Sequence, residues 1–265
     1  MIMQITTPRL ELWRIEGAFR NEPHVHEDDY QVTVPLDGPC LFTHDSRDYR
    51  LAGGSGLVQH PMDRHSFEIE TGASVLIFKI KRHGFREIAG VDAPEFALHQ
   101  QFEPSRMSGR FRQWTNVLLT CALQDRLAHE ELELQVLSYL ERALIGNHRG
   151  SAQDRTAMAV ADPYMRQALA YIDAHYKEEI RIDTLAEIAL LSRFHFIRSF
   201  KAAVGQTPYQ YVLRLRMDEA KQLLRRTGLS VTEIAYSLGF ASISQFYRSF
   251  AKSVGTPPEK YRHQC

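Results

Sequence analysis

The sequence predicts a two-domain α+β protein: an antiparallel β-barrel or sandwich with a helical hairpin, followed by an all-α module. Three observations predict it. Between residues 9 and 81, β-rich runs, several of them alternating with period two, are separated by Gly, Pro and Asp. After about residue 105 the apolar positions change to helical spacing. From residue 163 onward, a helical pattern occurs twice.

The strand runs are Arg9–Ile15, Gln31–Val34, Cys40–Thr43, Leu57–Gln59, Phe67–Ile69 and Val75–Ile80, broken at Pro35 to Pro39, Gly53-Gly54 and Thr71-Gly72. Short, regularly spaced strands of this kind suit a closed or two-layered antiparallel sheet, here assigned to residues 1–105. Residues 108–124 and 129–147 carry apolar side chains at helical spacing: Phe111, Val117, Leu118 and Leu123, then Val136, Leu137, Leu140 and Leu144. Successive amphipathic helices predict an antiparallel pair over 106–147. Gly146 to Arg155 has no apolar period, which makes 148–162 a linker. Asp162-Pro163 then supplies an N-cap and a proline at the first helical position, opening a module over 163–265.

Composition excludes some classes and conceals another. The 265 residues are 44% hydrophobic and 24% charged, ordinary values for a globular chain. No apolar run reaches the ~18 residues of a membrane span; the best, Val75–Phe78, stops at Lys79. Met1-Ile-Met-Gln is followed by Thr, Pro and Arg, without a signal-peptide core. Cys40, Cys121 and Cys265 are odd in number and far apart, which fits a reducing, cytoplasmic setting and no membrane partner. Lys+Arg and Asp+Glu are both 32, a net charge of zero. Split at residue 162, however, the chain is −6 before and +6 after, and nine of twelve histidines lie before the cut. Two modules with different partners are expected.

The basic half contains the repeat. Thr184-x-x-Glu187 and Ser230-x-x-Glu233 both read as capping boxes, 46 residues apart. Glu187-Ile188-Ala189 matches Glu233-Ile234-Ala235, and Arg198-Ser-Phe-Lys-Ala-Ala-Val-Gly205 matches Arg248-Ser-Phe-Ala-Lys-Ser-Val-Gly255. The offset rises from 46 to 50, which predicts four extra residues in copy two around Ser237–Phe240. Each copy is a helix, a turn and a second helix, placing helix-turn-helix units at about 184–205 and 230–255 with a linking helix at about 208–227. Phe196, Phe200, Phe246 and Phe250 face inward. The outward set is Phe194, Ile197, Arg198 and Lys201 in copy one and Ser244, Tyr247 and Arg248 in copy two, with Arg193, Ile243 and Gln245 near the helix starts. A surface Arg is ordinarily just solvated. Arg198 and Arg248, at equivalent positions on both second helices, favour contact with guanine edges or phosphate instead. Two such readers on one strut suit DNA segments about 10 bp apart.

Residues 163–262 resemble the DNA-binding domain of the AraC/XylS family of transcription regulators. Ile234-Ala-Tyr-Ser-Leu-Gly-Phe240, Gln245-Phe-Tyr-Arg-Ser-Phe250 and Gly255-Thr-Pro-Pro-Glu-Lys-Tyr-Arg262 carry the likeness. The resemblance implies two helix-turn-helix units, double-stranded promoter or operator DNA as partner, and RNA polymerase as a further candidate partner. Copy one departs at Phe194 and Ile197, where polar residues are frequent, so its base contacts would be apolar.

The acidic half contains His24-x-His26-x4-Gln31-x6-Gly38, which resembles the first motif of cupin barrels with Gln31 in the usual Glu position. Pro61-Met-Asp-Arg-His65 resembles the second motif more loosely. The resemblance implies a cupin-like jelly-roll with His24, His26, Gln31 and His65 lining a small-molecule effector pocket. Placed at i and i+2 on one strand, His24 and His26 would point the same way. With His65 they are candidate ligands for a divalent transition metal, and His60 is a further candidate. Three readings of this half stay open: an effector or metal sensor, a metal-dependent enzyme, and a dimerisation scaffold. No catalytic constellation stands out, so a non-enzymatic regulator is expected. In the resembled family the helical pair forms the dimer interface. Val136, Leu137, Leu140 and Leu144 would then meet a second copy, or else pack on the barrel.

Overall fold

The computed structural model describes residues 1–89, 93–120, 125–147 and 163–263. Cys121, Leu123, Asp162, Cys265 and the expected linker 148–162 lie outside the described residues. The chain divides into two units, 1–113 with 135–154 and 114–134 with 155–265, so the hairpin expected over 106–147 is shared between them.

In the first unit the strands are β1 (Ile2–Thr6), β2 (Leu10–Glu16), β3 (Phe19–Arg20), β4 (Asp29–Asp37), β5 (Cys40–His44), β6 (Arg47–Leu51), β7 (Ser55–Gln59), β8 (His65–Ile69), β9 (Ser74–Lys81) and β10 (His99–Gln101). Helix α1 (Arg82–Ala89) follows β9 directly, and α2 (Pro104–Thr120) and α3 (Arg126–Ala143) form the hairpin. Two antiparallel sheets result, ordered β1-β2-β9-β4-β7-β10 and β3-β8-β5-β6. Alternation aims Ile15, Leu57, Val75 and Ile77 of the larger sheet at Cys40, Phe42, Phe67 and Ile69 of the smaller, and these side chains form one buried cluster. The larger sheet is buried on its other face too, through Leu12, Val32, Phe78 and Ile80. That explains the continuous apolar run of β9, which a one-sided sheet would have broken into alternation.

All six strand runs are present: β2 is shifted by one residue, and the other five are longer than expected by one to five residues. Helix α2 begins at Pro104, four residues before the expected start, because proline at a first helical position loses no intrahelical bond. Helix α3 begins three residues early and ends at Ala143. Val136, Leu137, Leu140 and Leu144 are 0% exposed in the single chain. The stripe expected to meet a second copy is therefore already covered, and a dimer must use another face.

The second unit contains α4 (Pro163–His175), α5 (Ile182–Ile188), α6 (Arg193–Val204), α7 (Pro208–Arg226), α8 (Val231–Ser237), α9 (Ile243–Val254) and α10 (Pro258–His263). Helices α5–α6 and α8–α9 are the two helix-turn-helix units, each with its own core. Leu185, Ala186, Phe196 and Phe200 anchor the first, and Ile234, Ala235, Phe246 and Phe250 the second. The repeat has a different register from the one the capping boxes suggested. Leu191 N–H donates to the Ala186 carbonyl, and Phe240 N–H donates to that of Ala235. Ala186 thus corresponds to Ala235, an offset of 49 that becomes 50 in the second helix. Copy two has one extra residue, not four.

The cause is visible at the helix starts. Ser230 and Glu233 form the expected capping box. Thr184 instead lies inside α5, whose N-cap is Arg181 with no side-chain cap. Glu130 of α3 takes that place, its Oε2 accepting from Ile182 N–H at 2.9 Å. The turn differs as well. Gly239 holds φ +77°, and a Cβ there would collide with the Lys177 carbonyl. The equivalent in copy one is Leu190, at φ +54° and exposed.

One side chain joins the second copy to the rest of the unit. Arg216 of α7, 7% exposed, donates through Nε to the Tyr176 carbonyl (2.6 Å), through one terminal nitrogen to Gly239 (3.0 Å) and through the other to Glu178 (3.0 Å). Burial pulls its pKa down, and the charge of Asp125 opposes that shift. Arg216→Met should cost about 3 kcal/mol, because three carbonyls lose a charged donor held in the interior; urea denaturation measures it. Leu190→Gly should raise stability by about 0.5–1 kcal/mol, the left-handed penalty relieved less the backbone entropy of glycine. An unchanged midpoint would show that the Leu190 turn is not strained.

Candidate functional site

The second helix of each helix-turn-helix unit is built to one plan. Ser192 and Ser242 cap α6 and α9, accepting from His195 N–H and Gln245 N–H. Gly205 and Gly255 close them in the left-handed conformation at φ +79° and +81°. Phe196 and Phe200, 5.5 Å apart, and Phe246 and Phe250, 5.6 Å apart, fix the rotation of each helix by burying one face. That rotation exposes Arg198 and Lys201 on α6 and Ser244 and Arg248 on α9, while Phe194, Ile243 and Tyr247 are half-buried beside them. The Arg198 guanidinium lies 5.8 Å from the centre of the Phe194 ring. Among the described residues no carboxylate pairs with Arg198, Lys201 or Arg248. These cations stay available to an outside anion.

Three residues expected on that surface are placed otherwise. Ile197 is 9% exposed and belongs to the first core cluster, being only one step around the helix from Phe196. Arg193 is ion-paired to Asp183 at 2.6 Å and Glu130 at 3.6 Å. Gln245 is 1% exposed; its Oε1 accepts from Ala241 N–H, and its Nε2 donates to Asp125 Oδ2 at 3.1 Å. Glu131 adds a further local contact, accepting from Tyr209 N–H at the start of α7 (2.9 Å). Asp125, Glu130 and Glu131 are all near the start of α3, so one short acidic segment engages α5, α6, α7 and α9. Nothing in sequence spacing pointed to it, since each partner lies at least 50 residues away.

Helix α7, with 19 residues, is about 28 Å long at 1.5 Å per residue. Its start has a full capping box, Thr207 with Gln210, followed by Pro208 at the first position. The helix carries Val212 in the first core and Met217, Ala220 and Leu224 in the second. The two reading helices are thereby fixed to one rigid element.

The barrel site is a polar strip inside an otherwise apolar sandwich. Strand register sets Glu11, Lys79, Gln31 and Gln59 side by side across β2, β9, β4 and β7, on the face shared with Ile77 and Leu57. Gln31 Nε2 donates to Thr33 Oγ1 (3.1 Å) and Gln59 Oε1 (3.3 Å), and Thr33 Oγ1 donates to Gln59 Oε1 (3.2 Å). The amide nitrogen of Gln59 is buried without a partner. Lys79 Nζ lies 5.8 Å from the Trp13 ring centre, and Trp13 Nε1 donates to Glu11 (3.1 Å). His24, His26 and His65 come together beside this strip, with ring centres 4.5 to 5.2 Å apart. All four residues expected in the pocket meet there.

The route differs from the expected one. His24 and His26 precede β4 on an irregular segment, which a bridge between His24 and His65 and the Met62 N–H donated to the His26 carbonyl hold in place. Burial pushes the His65 pKa down to about 4, so the ring is neutral at pH 7. Burial, then Lys79 and His24, lowers that of His26. Burial raises the Cys40 thiol to about 12, leaving it unreactive. His60 is turned away, its Nε2 accepting from Phe96 N–H. Lys79, Gln59, Thr33 and Trp13 escaped sequence reading. Lys79 had a signal: it shares the parity of Val75 and Ile77 and so faces the interior.

Residues 11–140 match the family model of an AraC-like ligand binding domain, and residues 185–264 that of a helix-turn-helix domain. The chain is 26% identical over 263 residues to a probable transcriptional regulator, LumQ, of Photobacterium leiognathi, covering 98% of each chain. It is likewise 26% identical over 253 residues to the transcriptional activator RhaS of an Enterobacter strain, covering 91% of this chain and 87% of that one. Among solved structures, the C-terminal domain of AraT, a response regulator from Geobacillus stearothermophilus, is 28% identical with a TM-score of 0.38, over 39% of this chain and 87% of that one.

The side-chain placement separates two kinds of arginine. Arg198→Ala and Arg248→Ala should each weaken binding to a selected DNA site by about 1–3 kcal/mol at constant thermal stability. Arg193→Ala should instead lower the melting temperature, because Asp183 and Glu130 lose the cation that joins them. Gel shifts beside calorimetry distinguish the two, and an equal loss of affinity in all three would contradict the placement.

Proposed function

Given that the chain belongs to the AraC family of transcriptional regulators, we propose that it switches transcription when a small oxygen-rich molecule enters the barrel. The observation that carries this reading is the pairing of two features in one chain. One is a duplicated helix-turn-helix with Arg198 and Arg248 exposed at equivalent positions. The other is a barrel strip that presents two donors to the interior, Lys79 Nζ and the unpartnered Gln59 Nε2. Donors on a buried face call for acceptors, so hydroxyl, carbonyl or carboxylate oxygens are the groups recognised. Trp13 beside Lys79 would cover the carbon skeleton.

Helix α3 is the element through which occupancy is communicated. Residues 126–134 of the helix belong to the second unit and 135–143 to the first, within one unbroken helix. Its first turns carry the acidic groups that hold α5, α6 and α7, with Asp125 immediately before it holding α9. A ligand that binds one setting of α3 more tightly than another shifts the population of DNA-competent molecules by that difference in affinity. Two copies acting together are proposed on DNA, since +6 over residues 163–265 is a modest charge against cellular salt. No enzymatic step is assigned, and among the described residues no helix is long and apolar enough to cross a membrane.

Selection from a random duplex pool by the full chain tests the DNA reading. It should enrich two short elements about 10 bp apart, and a pool without enrichment would refute it. A thermal-shift screen of sugars and organic acids tests the barrel reading. A compound that stabilises the parent should lose its effect on Lys79→Met while that variant still binds the selected DNA. Glu131→Gln should leave ligand binding intact and reduce the ligand's effect on DNA affinity.

A further inference from the structure

We propose that the outer edge of β1 pairs with the same edge of a second copy, joining two barrels through one two-fold pair of strands. β1 is the end strand of the six-stranded sheet, and among the described residues it pairs with β2 alone. Glu16 N–H donates to the Met1 carbonyl, and Thr7 N–H donates to that of Leu10. Bonding alternates along an antiparallel pair, so Met1, Met3, Ile5 and Thr7 turn their backbone groups toward β2. The N–H and C=O groups of Ile2, Gln4 and Thr6 therefore point away from the sheet. Among the described residues nothing pairs with them.

Among the described residues the two sheets end in four edge strands, β1, β10, β3 and β6, and these are not alike. β3 has two residues and β10 has three, while β6 carries Arg47, Asp48 and Arg50. Shortness and charge are what ordinarily protect a sheet edge from pairing with another chain. β1 has neither protection. Its five residues, Ile-Met-Gln-Ile-Thr, include no charge and no proline. Ile2 and Met3 are 54% and 37% exposed, apolar surface that the single chain leaves in water.

The occupant is a second copy, because β1 is its own complement in hydrogen bonds and in side chains. A two-fold axis at Gln4 sets Gln4 against the partner's Gln4 and Ile2 against the partner's Thr6. All three outward residues then form pairs of two hydrogen bonds each. An axis one residue to either side leaves one of the three unpaired. The axis at Gln4 also places Met3 across from the partner's Ile5 in the closer, non-hydrogen-bonded positions, where side chains touch. Apolar meets apolar, no like charges oppose, and the contact closes at two copies. So short a pair buries much less than the ~1,200 Å² of a stable interface. The association is therefore weak in free solution and takes effect where a tether raises the local concentration. It supplies the self-contact for the two copies proposed on DNA, yet it rests on β1 alone and is measured without DNA. Its failure would leave the DNA reading standing.

The test is analytical sedimentation of the full chain, without an N-terminal tag, across micromolar to millimolar concentrations. A reversible equilibrium between one and two copies is expected. Gln4→Lys and Gln4→Glu should each weaken it several-fold, because like charges would then face each other across the axis. Their equimolar mixture should restore it, with opposite charges meeting in a mixed dimer. Gln4→Pro should abolish the dimer at unchanged melting temperature, since it removes an outward N–H that β2 does not use. A parent that stays monomeric over the whole range overturns the proposal. So does a dimer retained by folded Gln4→Pro, or one that Gln4→Lys and Gln4→Glu form separately as readily as together.

Discussion

The second unit depends on one buried cation. Three carbonyls, those of Tyr176 and Glu178 after α4 and of Gly239 in the turn of the second helix-turn-helix, converge on the Arg216 guanidinium. Each lies in irregular backbone where no helix or sheet supplies a donor. A planar fork with five N–H groups can satisfy all three at once, which a lysine ammonium with its point geometry cannot do with the same angles. Burying that charge is costly, and Asp125 offsets part of it. Arg216 also lies against the Phe240 ring, 5.5 Å from its centre, so the aromatic residue that ends the turn is held by the same group. The position of the second reading helix relative to α7 follows from this cluster.

The two helix-turn-helix copies show how one backbone plan is met by unlike means. Copy two is locally self-sufficient: Ser230 and Glu233 cap its first helix, and Gly239 adopts the left-handed turn without strain. Copy one has neither device. Its first helix begins at Ile182 behind an Arg181 N-cap that makes no side-chain bond, its turn puts a leucine in the left-handed region, and a glutamate from α3 satisfies the start. Copy one is thereby made dependent on the hairpin, and copy two is coupled to it through the Gln245–Asp125 bond. The half of the DNA-reading apparatus with the weaker local signals is the half most tied to α3.

This dependence also explains what could be read from sequence. The barrel strands with strong alternation or long apolar runs, and the reading helices with their paired phenylalanines, were legible because the determinants are local. β3 and β10, with two and three residues, carry too few side chains to show a period. The repeat was visible but misaligned by three residues in its first helix. Thr184-x-x-Glu187 imitates a capping box, while the real cap, Glu130, lies 52 residues from its partner. The histidine cluster was found through a motif that supposes a strand, although His24 and His26 stand on an irregular segment. The burial of Val136, Leu137, Leu140 and Leu144 was open at the sequence level, because an apolar stripe looks the same whether it meets its own chain or another.

Helix α7 constrains how such a protein changes over time. Because both readers are anchored to one unbroken helix, inserting or deleting a residue within it would turn one reader by about 100° relative to the other and move it 1.5 Å along the axis. A full turn is 3.6 residues, so no small whole number of insertions restores the original phase. Spacing between the two DNA elements is therefore nearly closed to evolutionary adjustment. New binding sites must be reached by exchanging side chains on the exposed faces of α6 and α9, one contact at a time, with the distance between them inherited unchanged.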